Sequence, residues 1–176
     1  MVTVRAEISA DVTAREALLD RAFGRARNRK TSQRFRDGRL PAEDLAFTAL
    51  SKSGRVVGTL RMWNIIAGSA GPALLLGPLA VDSRYQRRGI GQELMDHALN
   101  MAKVLGHASV LLVGDEAYYG RFGFARSFVA ELHLPGPVER NRFLGLELMS
   151  GALDGAKGLV VAGGALAPNA NEVIAA

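Results

Sequence analysis

Apolar and polar residues alternate through the opening VTVRAEIS, and that period of two predicts a β-strand. The period then lengthens. Ala14, Ala17, Leu18 and Phe23 share one face of a helix expected from about Thr13 to Phe23, with Asp11 or Thr13 as its cap. Arg29 to Arg36 predicts a second helix, short and very basic, closed off by Gly38 and Pro41. DLAFTALSKSGRVVGTLRMWNII has β-rich runs on both sides of Ser53-Gly54 and reads as a hairpin turning at that pair. Ala73 to Val81, ALLLGPLAV, is a continuous apolar run of the kind found in strands buried on both faces. Gly77-Pro78 interrupts it. Proline donates no hydrogen bond to a ladder, so this strand is expected to bulge or to part from a neighbour there.

Ile90, Leu94, Ala98, Met101 and Leu105 recur at helical spacing, giving one apolar face that stops at Gly106. ASVLLVG (Ala108 to Gly114) predicts another buried strand, and DEAYYGRFGF a short helix and a turn. FVAELHL and FLGLELM predict two last strands joined through PGPVERN. From Asp154 the chain is rich in Gly and Ala and weakly patterned. A single domain over residues 1–153 is expected, with a loosely ordered tail over 154–176. No repeat or linker marks a second domain. A central strand–helix–strand unit, with a hairpin before it and strands after, implies an α+β fold with α/β-type layers: one central sheet of mixed direction flanked by helices.

The run YQRRGIGQELM leads into the long helix and puts Gly89 and Gly91 in its first turn, where glycine is a poor choice by propensity. A physical use explains them. The first turn of a helix has N–H groups without intrahelical partners, at the positive end of the helix dipole. Side chains lacking Cβ leave those amides open to a phosphate, and Arg87 and Arg88 add charge. The run is not a P-loop, since no Gly-Lys-Ser/Thr follows, and Leu94 occupies the third glycine position of a dinucleotide fingerprint. Close packing of a helix start against a strand would account for the two glycines equally well.

Composition narrows the classes. A chain of 176 residues that is 48% hydrophobic and 22% charged has the make-up of an ordinary globular domain. It contains no cysteine, which excludes disulfides, thiolate metal sites and cysteine nucleophiles and suits a cytoplasmic setting. Its N-terminus shows no signal-peptide pattern, and no apolar run approaches the roughly 20 residues of a membrane span, so no membrane partner is expected. A net charge of +5 favours anionic partners. The basic residues concentrate in Arg21 to Leu40, read here as a solvated basic face, and in a second group of Arg84, Arg87, Arg88, Arg121 and Arg126.

LAVDSRYQRRGIGQELM resembles the cofactor motif of the GNAT superfamily of N-acetyltransferases, Gln/Arg-x-x-Gly-x-Gly/Ala after a central strand. Gln86, Gly89 and Gly91 fill it. YGRFGF is similar to the superfamily's Tyr-x-x-x-Gly-Phe element, filled by Tyr119, Gly123 and Phe124, and the GD-x-x-YY-x-RFGF form resembles a bacterial branch. The order of elements agrees over about residues 2 to 150. The resemblance implies a GNAT-like acyltransferase fold whose sheet is mostly antiparallel, with a bulged, splayed fourth strand. It also implies acetyl-CoA held between the fourth and fifth strands. Backbone groups of Leu79, Ala80 and Val81 would pair with the pantetheine arm, and the pyrophosphate would meet Arg87, Arg88, Gly89, Ile90, Gly91 and Gln92. Arg84 or Arg88 is a candidate for a further phosphate.

By the same resemblance the chain transfers an acetyl or short acyl group to an unidentified primary amine. A backbone N–H near Leu79 would stabilise charge on the thioester oxygen. Tyr119 takes the general-acid position, protonating the departing thiolate, while Tyr118 would line the pocket. No general base is assigned; Asp82 and Asp115 read equally well as caps, and Glu116 is near them in sequence. His97, His107 and His133 are scattered and make no metal site, and Trp63 reads as a half-buried strand aromatic. Two other classes stand beside the enzyme: a noncatalytic acyl-CoA-binding sensor on the same fold, and a nucleic-acid-binding protein built on the first basic cluster. The second lacks aromatics among its basic residues and leaves the glycine loop unexplained, so nucleic acid is not the expected partner. A monomer or homodimer in the cytoplasm is expected.

Overall fold

A computed structural model describes residues 2–168. Its sheet is built from β1 (Thr3–Ala6), β2 (Ala46–Leu50), β3 (Val56–Ala67), β4 (Pro72–Val81), β5 (Ser109–Val113) and β7 (Phe143–Glu147), in the order β1-β2-β3-β4-β5-β7. Neighbours are antiparallel except for the parallel pair β4 and β5. Two further strands, β6 (Glu131–His133) and β8 (Lys157–Ala162), pair in parallel, and β8 also joins the far end of β3. The helices are α1 (Val12–Phe23), α2 (Ile90–Val104) and the one-turn α3 (Glu116–Tyr119). The mixed, mostly antiparallel sheet flanked by helices is the architecture expected from the sequence.

Apolar alternation puts a core on each face of the sheet. Leu60, Met62, Leu74, Leu76, Val110 and Leu112 meet the buried stripe Ile90, Leu94, Met95, Ala98 and Ala102 of α2 on one face. Trp63, Ile65, Leu75, Leu111 and Phe143 meet Phe35, Leu132 and Val160 on the other. Several local expectations need correction. In α1 the buried residues are Arg15, Leu18 and Leu19, not Ala14 and Ala17, because ion pairs of Arg15 with Glu7 and Glu16 satisfy its guanidinium inside. Asp11 bonds the N–H of Ile8 and the side chains of Arg5 and Thr48 rather than capping α1. The basic run is not one helix but two 3-10 turns, Arg25–Arg29 and Thr31–Phe35. The two late strands do not pair with each other: β7 lies on β5, and β6 on β8. Nor is the tail loose where it forms β8, whose Val160 is fully buried while Leu159 and Val161 face out. Residues 169–176 of that tail lie outside the described residues.

β4 is bulged as its proline requires. Leu60 opposes Leu79 and Met62 opposes Leu76, so Arg61 alone stands opposite Gly77 and Pro78. The extra residue switches the strand's faces: Leu74 and Leu76 before it, and Leu79 and Val81 after it, all pack toward α2. Beyond Leu75–Leu111 the pairing of β4 with β5 ends, although both strands continue. Trp63 Nε1 donates to the Gly77 carbonyl at 2.7 Å, satisfying a group that the bulge removes from the ladder. Trp63 is thus more deeply buried than the half-exposed aromatic its sequence context suggested. Replacing it by Phe keeps most of the ring volume and orphans that carbonyl. We expect Trp63→Phe to lose about 1–3 kcal/mol of stability in urea unfolding; an unchanged midpoint would show that this bond does not hold the bulge.

Candidate active site

The splay between β4 and β5 opens a cavity of about 740 Å³ that runs from the first turn of α2 to the 3-10 turns after α1. Its floor follows from the register of β4. Asp82 N donates to Val57 O at 2.8 Å, so Asp82 is bonded toward β3, and in an antiparallel ladder the residues then alternate. Val81 and Leu79 turn their backbone groups away from β3 into the splay. Ala80 turns its own toward Thr59 and packs its side chain with Leu18 and Leu19. Of the three residues expected to offer free backbone, Leu79 and Val81 line the cavity and Ala80 does not, because β3 already uses its peptide groups.

The loop into α2 turns sharply, with Arg87 at φ 61° and Gly89, the N-cap residue, at φ 80°. A Cβ on Gly89 would meet nothing within 4 Å, so its requirement is conformational. Gly91 has a different reason: a Cβ there would stand 2.8 Å from the Tyr118 hydroxyl. Glu93 N donates to Gly89 O as the first intrahelical bond, leaving the amides of Ile90, Gly91 and Gln92 without helical acceptors. Arg87, Gly89, Ile90, Gly91 and Gln92 all line the cavity, and the Gln86 amide reaches the Val81 carbonyl at 3.4 Å. Arg88 does not join them. Its guanidinium lies over the Tyr85 ring and faces a separate depression beside Lys52 and Glu93.

Tyr118 and Tyr119 meet edge to face, and both line the cavity from the side of β5. Tyr118 reaches the start of α2, with Arg121 over its ring. Tyr119 lies against Gly114, where a Cβ would come within 2.2 Å of the ring, and against Phe124. Burial, reinforced by Tyr118, pushes the Tyr119 phenol up to about 12. The two caps are real: Asp82 accepts from the Arg84 N–H and Asp115 from that of Ala117. Side-chain bonds from Arg84, against the opposing effect of burial, draw the Asp82 carboxyl down to about 2. Arg84 is therefore committed to Asp82. Glu116 is outside the cavity lining.

Several lining residues were not foreseen. Gly114 is one, and GD before the tyrosines was its signal. Part of the first basic cluster, read as a solvated face, supplies Arg27, Lys30 and Arg36 to the wall. Glu139, in the PGPVERN loop, is the second acidic lining residue after Asp115, and it caps no helix with its side chain. These positions are set by loops, which carry no periodic signal.

Residues 13–124 match the Acetyltransferase (GNAT) family. The chain is 31% identical over 159 residues to an uncharacterized N-acetyltransferase, YhbS, of Escherichia coli (strain K12), covering 89% of this chain and 93% of that protein. It superposes on the crystal structure of Escherichia coli YhbS in complex with CoA with a TM-score of 0.77 at 30% identity, over 90% of this chain and 88% of that one. A GNAT family acetyltransferase from Brucella melitensis, solved in complex with acetyl-CoA, shares the fold with a TM-score of 0.67 at 23% identity, over 93% and 96% of the two chains.

Two outcomes follow from this geometry. Gly114→Ala forces the Tyr119 ring to move, and should cost about 1–3 kcal/mol in denaturant unfolding together with a changed near-ultraviolet tyrosine signal. The Asp82 carboxyl titrates lower in the folded chain than in the unfolded one, so its contribution is complete above about pH 4 and is lost as pH falls through the folded value. Asp82→Asn should therefore be less stable than the parent at pH 7, with the gap closing on acidification toward about pH 2. A gap independent of pH would mean that the carboxylate's charge contributes nothing.

Proposed function

The chain belongs to the GNAT family of acetyltransferases, and from that premise we propose that it is an acetyl-CoA-dependent N-acetyltransferase acting on a primary amine by direct attack in a ternary complex. The observation that carries this reading is the continuous path from the backbone of Leu79 and Val81 that β3 leaves free to the open amides of Ile90, Gly91 and Gln92. A pantetheine arm has amides that can pair with the first, in the manner of an added strand. A pyrophosphate suits the second, where the helix dipole and Arg87 favour negative charge. CoA-bound YhbS, with the same fold over most of its length, supports the assignment.

Bound acetyl-CoA supplies a thioester carbon: attack by the amine nitrogen forms the C–N bond of an amide, and the C–S bond breaks as the CoA thiolate leaves. Negative charge that builds on the carbonyl oxygen is met by the backbone N–H of Leu79, which the register turns into the splay. Tyr119 holds its proton throughout the neutral range and donates it to the leaving sulfur. Its raised pKa does not spoil the match, since exclusion of water raises a thiol as it raises a phenol. The nitrogen loses one proton, for which Glu139 is the uncommitted carboxylate in the wall, and that proton restores Tyr119 through solvent. Asp82 is excluded from this role by its bonds to Arg84. Cytoplasmic residence follows from the supply of acetyl-CoA there.

Titration calorimetry with acetyl-CoA tests the reading. The parent chain and Tyr119→Phe should bind alike, and Gly89→Glu, which combines a left-handed φ with a carboxylate at the helix start, should not bind measurably. With an accepted amine, Tyr119→Phe should release thiol roughly a hundredfold more slowly. Failure of the parent chain to bind any acyl-CoA would sink the proposal.

A further inference from the structure

The wall opposite the tyrosines holds a charge that finds no ion-pair partner among the described residues. The guanidinium of Arg36 lines the cavity against Gly77, with one Nη 3.2 Å from where a Cβ on that glycine would stand. Its Nε is buried and has no hydrogen-bond partner among the described residues. The acids around α1 and β1 are already engaged, and Glu139 in the cavity lining forms no ion pair or hydrogen bond with Arg36. Glu7 pairs with Arg15 and Arg61, Glu16 with Arg15 and Arg27, Asp20 with Arg27, and Asp37 accepts from the Gln33 amide at 2.7 Å. Of its charged neighbours, Arg27 and Arg61 repel Arg36 and Asp37 attracts it without forming an ion pair. Burial lowers its pKa to about 10, which still leaves it a cation at neutral pH. Arg36 is half-buried with its Nε fully covered; a charge drawn this far from water without an ion-pair partner is costly, and the fold retains it at the cavity surface.

We propose that the acceptor amine carries a carboxylate, and that Arg36 is the specificity-determining residue that receives it. This rests on the acetyl-CoA reading of the cavity. Position argues against the phosphates of CoA as the missing anion: from Gly77 to Val81 the strand alone runs about 13 Å before the loop to Gly89 begins. The part of CoA that would lie beside Gly77, the end of the pantetheine arm and its acetyl group, carries no charge. The anion must then come with the acceptor. A single guanidinium fork matches one planar carboxylate through two parallel hydrogen bonds. The surroundings also limit size. Thr31 Oγ1 donates to Pro137 O at 2.6 Å and Arg34 donates to Pro135 O, tying the Arg36 turn to the loop before Glu139. Phe35, fully buried, anchors the adjoining backbone. A small amino-acid-like amine fits these limits, and a polycation meets Arg27, Lys30, Arg36, Arg121 and Arg142 in the lining.

The test uses the full chain saturated with CoA. N-acetylglycine, N-acetyl-β-alanine and N-acetyl-γ-aminobutyrate are each titrated beside the corresponding carboxamide. At least one acid is expected to bind about 10- to 100-fold more tightly than its amide. Arg36→Gln should bring that pair level without altering the affinity for CoA itself, and Arg36→Lys should restore part of the preference. Arg36→Met should unfold at no lower temperature than the parent, since it removes an unmatched charge. Equal binding or no binding of both members of every pair overturns the inference, as does a preference that survives Arg36→Gln. Loss of CoA affinity in Arg36→Gln would assign the guanidinium to the donor and overturn it too. If the parent chain does not bind CoA at all, the function reading itself has failed, an outcome distinct from these.

Discussion

One extra residue in β4 governs the site. An uninterrupted strand would have continued its pairing with β5 and kept a single alternation of faces along its length. With Gly77 and Pro78 together opposite Arg61, the alternation is reset and Leu79 and Val81 point toward α2 like Leu74 and Leu76. The same insertion coincides with the end of the β4–β5 ladder, and backbone that would have bonded to a neighbour faces an open cavity. The bond from Trp63 to Gly77 O is what lets a buried strand tolerate this, because it replaces the ladder partner that the carbonyl loses.

The cavity's electrostatics depend on how the chain spends its acids. Glu7, Glu16, Asp20 and Asp82 are each held by arginines, and these pairs fix α1, β1 and the turn before α2 around the sheet. Arginines outnumber such partners in this part of the chain, and of those left without an ion pair among the described residues the fold places Arg36 in the cavity wall. Glycines set the other walls by two separate mechanisms. Gly89 supplies a backbone angle, whereas Gly91 and Gly114 supply room for Tyr118 and Tyr119. Three residues of one type thus answer to two physical demands: a larger side chain would strain the backbone at Gly89 and collide with a tyrosine at Gly91 and Gly114.

The order of the elements and the existence of the bulge were legible in the sequence because both rest on local rules: alternation, helical spacing and the chemistry of proline. The sharp turn into α2 was legible for the same reason, since Gly89 and Gly91 are anomalous at a helix start. What was not legible depended on partners distant in the chain. Arg15 is buried in α1 because Glu7 comes to it from the loop after β1, which no periodicity in α1 reveals. β8 reads as a weak Gly/Ala-rich tail until the uncovered end of β3 provides its ladder. Ala80 was grouped with Leu79 and Val81 for want of the register that separates them. Arg36 was lost in a basic run that looked like a solvated face.

Several costly features of this fold gather in one place. Left-handed Arg87, the backbone of Leu79 and Val81 that β3 leaves free, the open amides at the start of α2 and the guanidinium of Arg36, without an ion pair among the described residues, all surround one cavity. Each is unfavourable in the free protein, on the order of 1–3 kcal/mol for a strained or unsatisfied group. Stability alone gives no reason for them to gather in one place. Their convergence is therefore best read as preorganisation: groups held unsatisfied by the two cores until a molecule arrives that satisfies them together. On that view the donor is recognised mainly by backbone, which any sequence with this bulge and helix start supplies. Acceptor choice then falls to side chains on the loops, where Arg36 and Glu139 stand and where related chains are freest to differ.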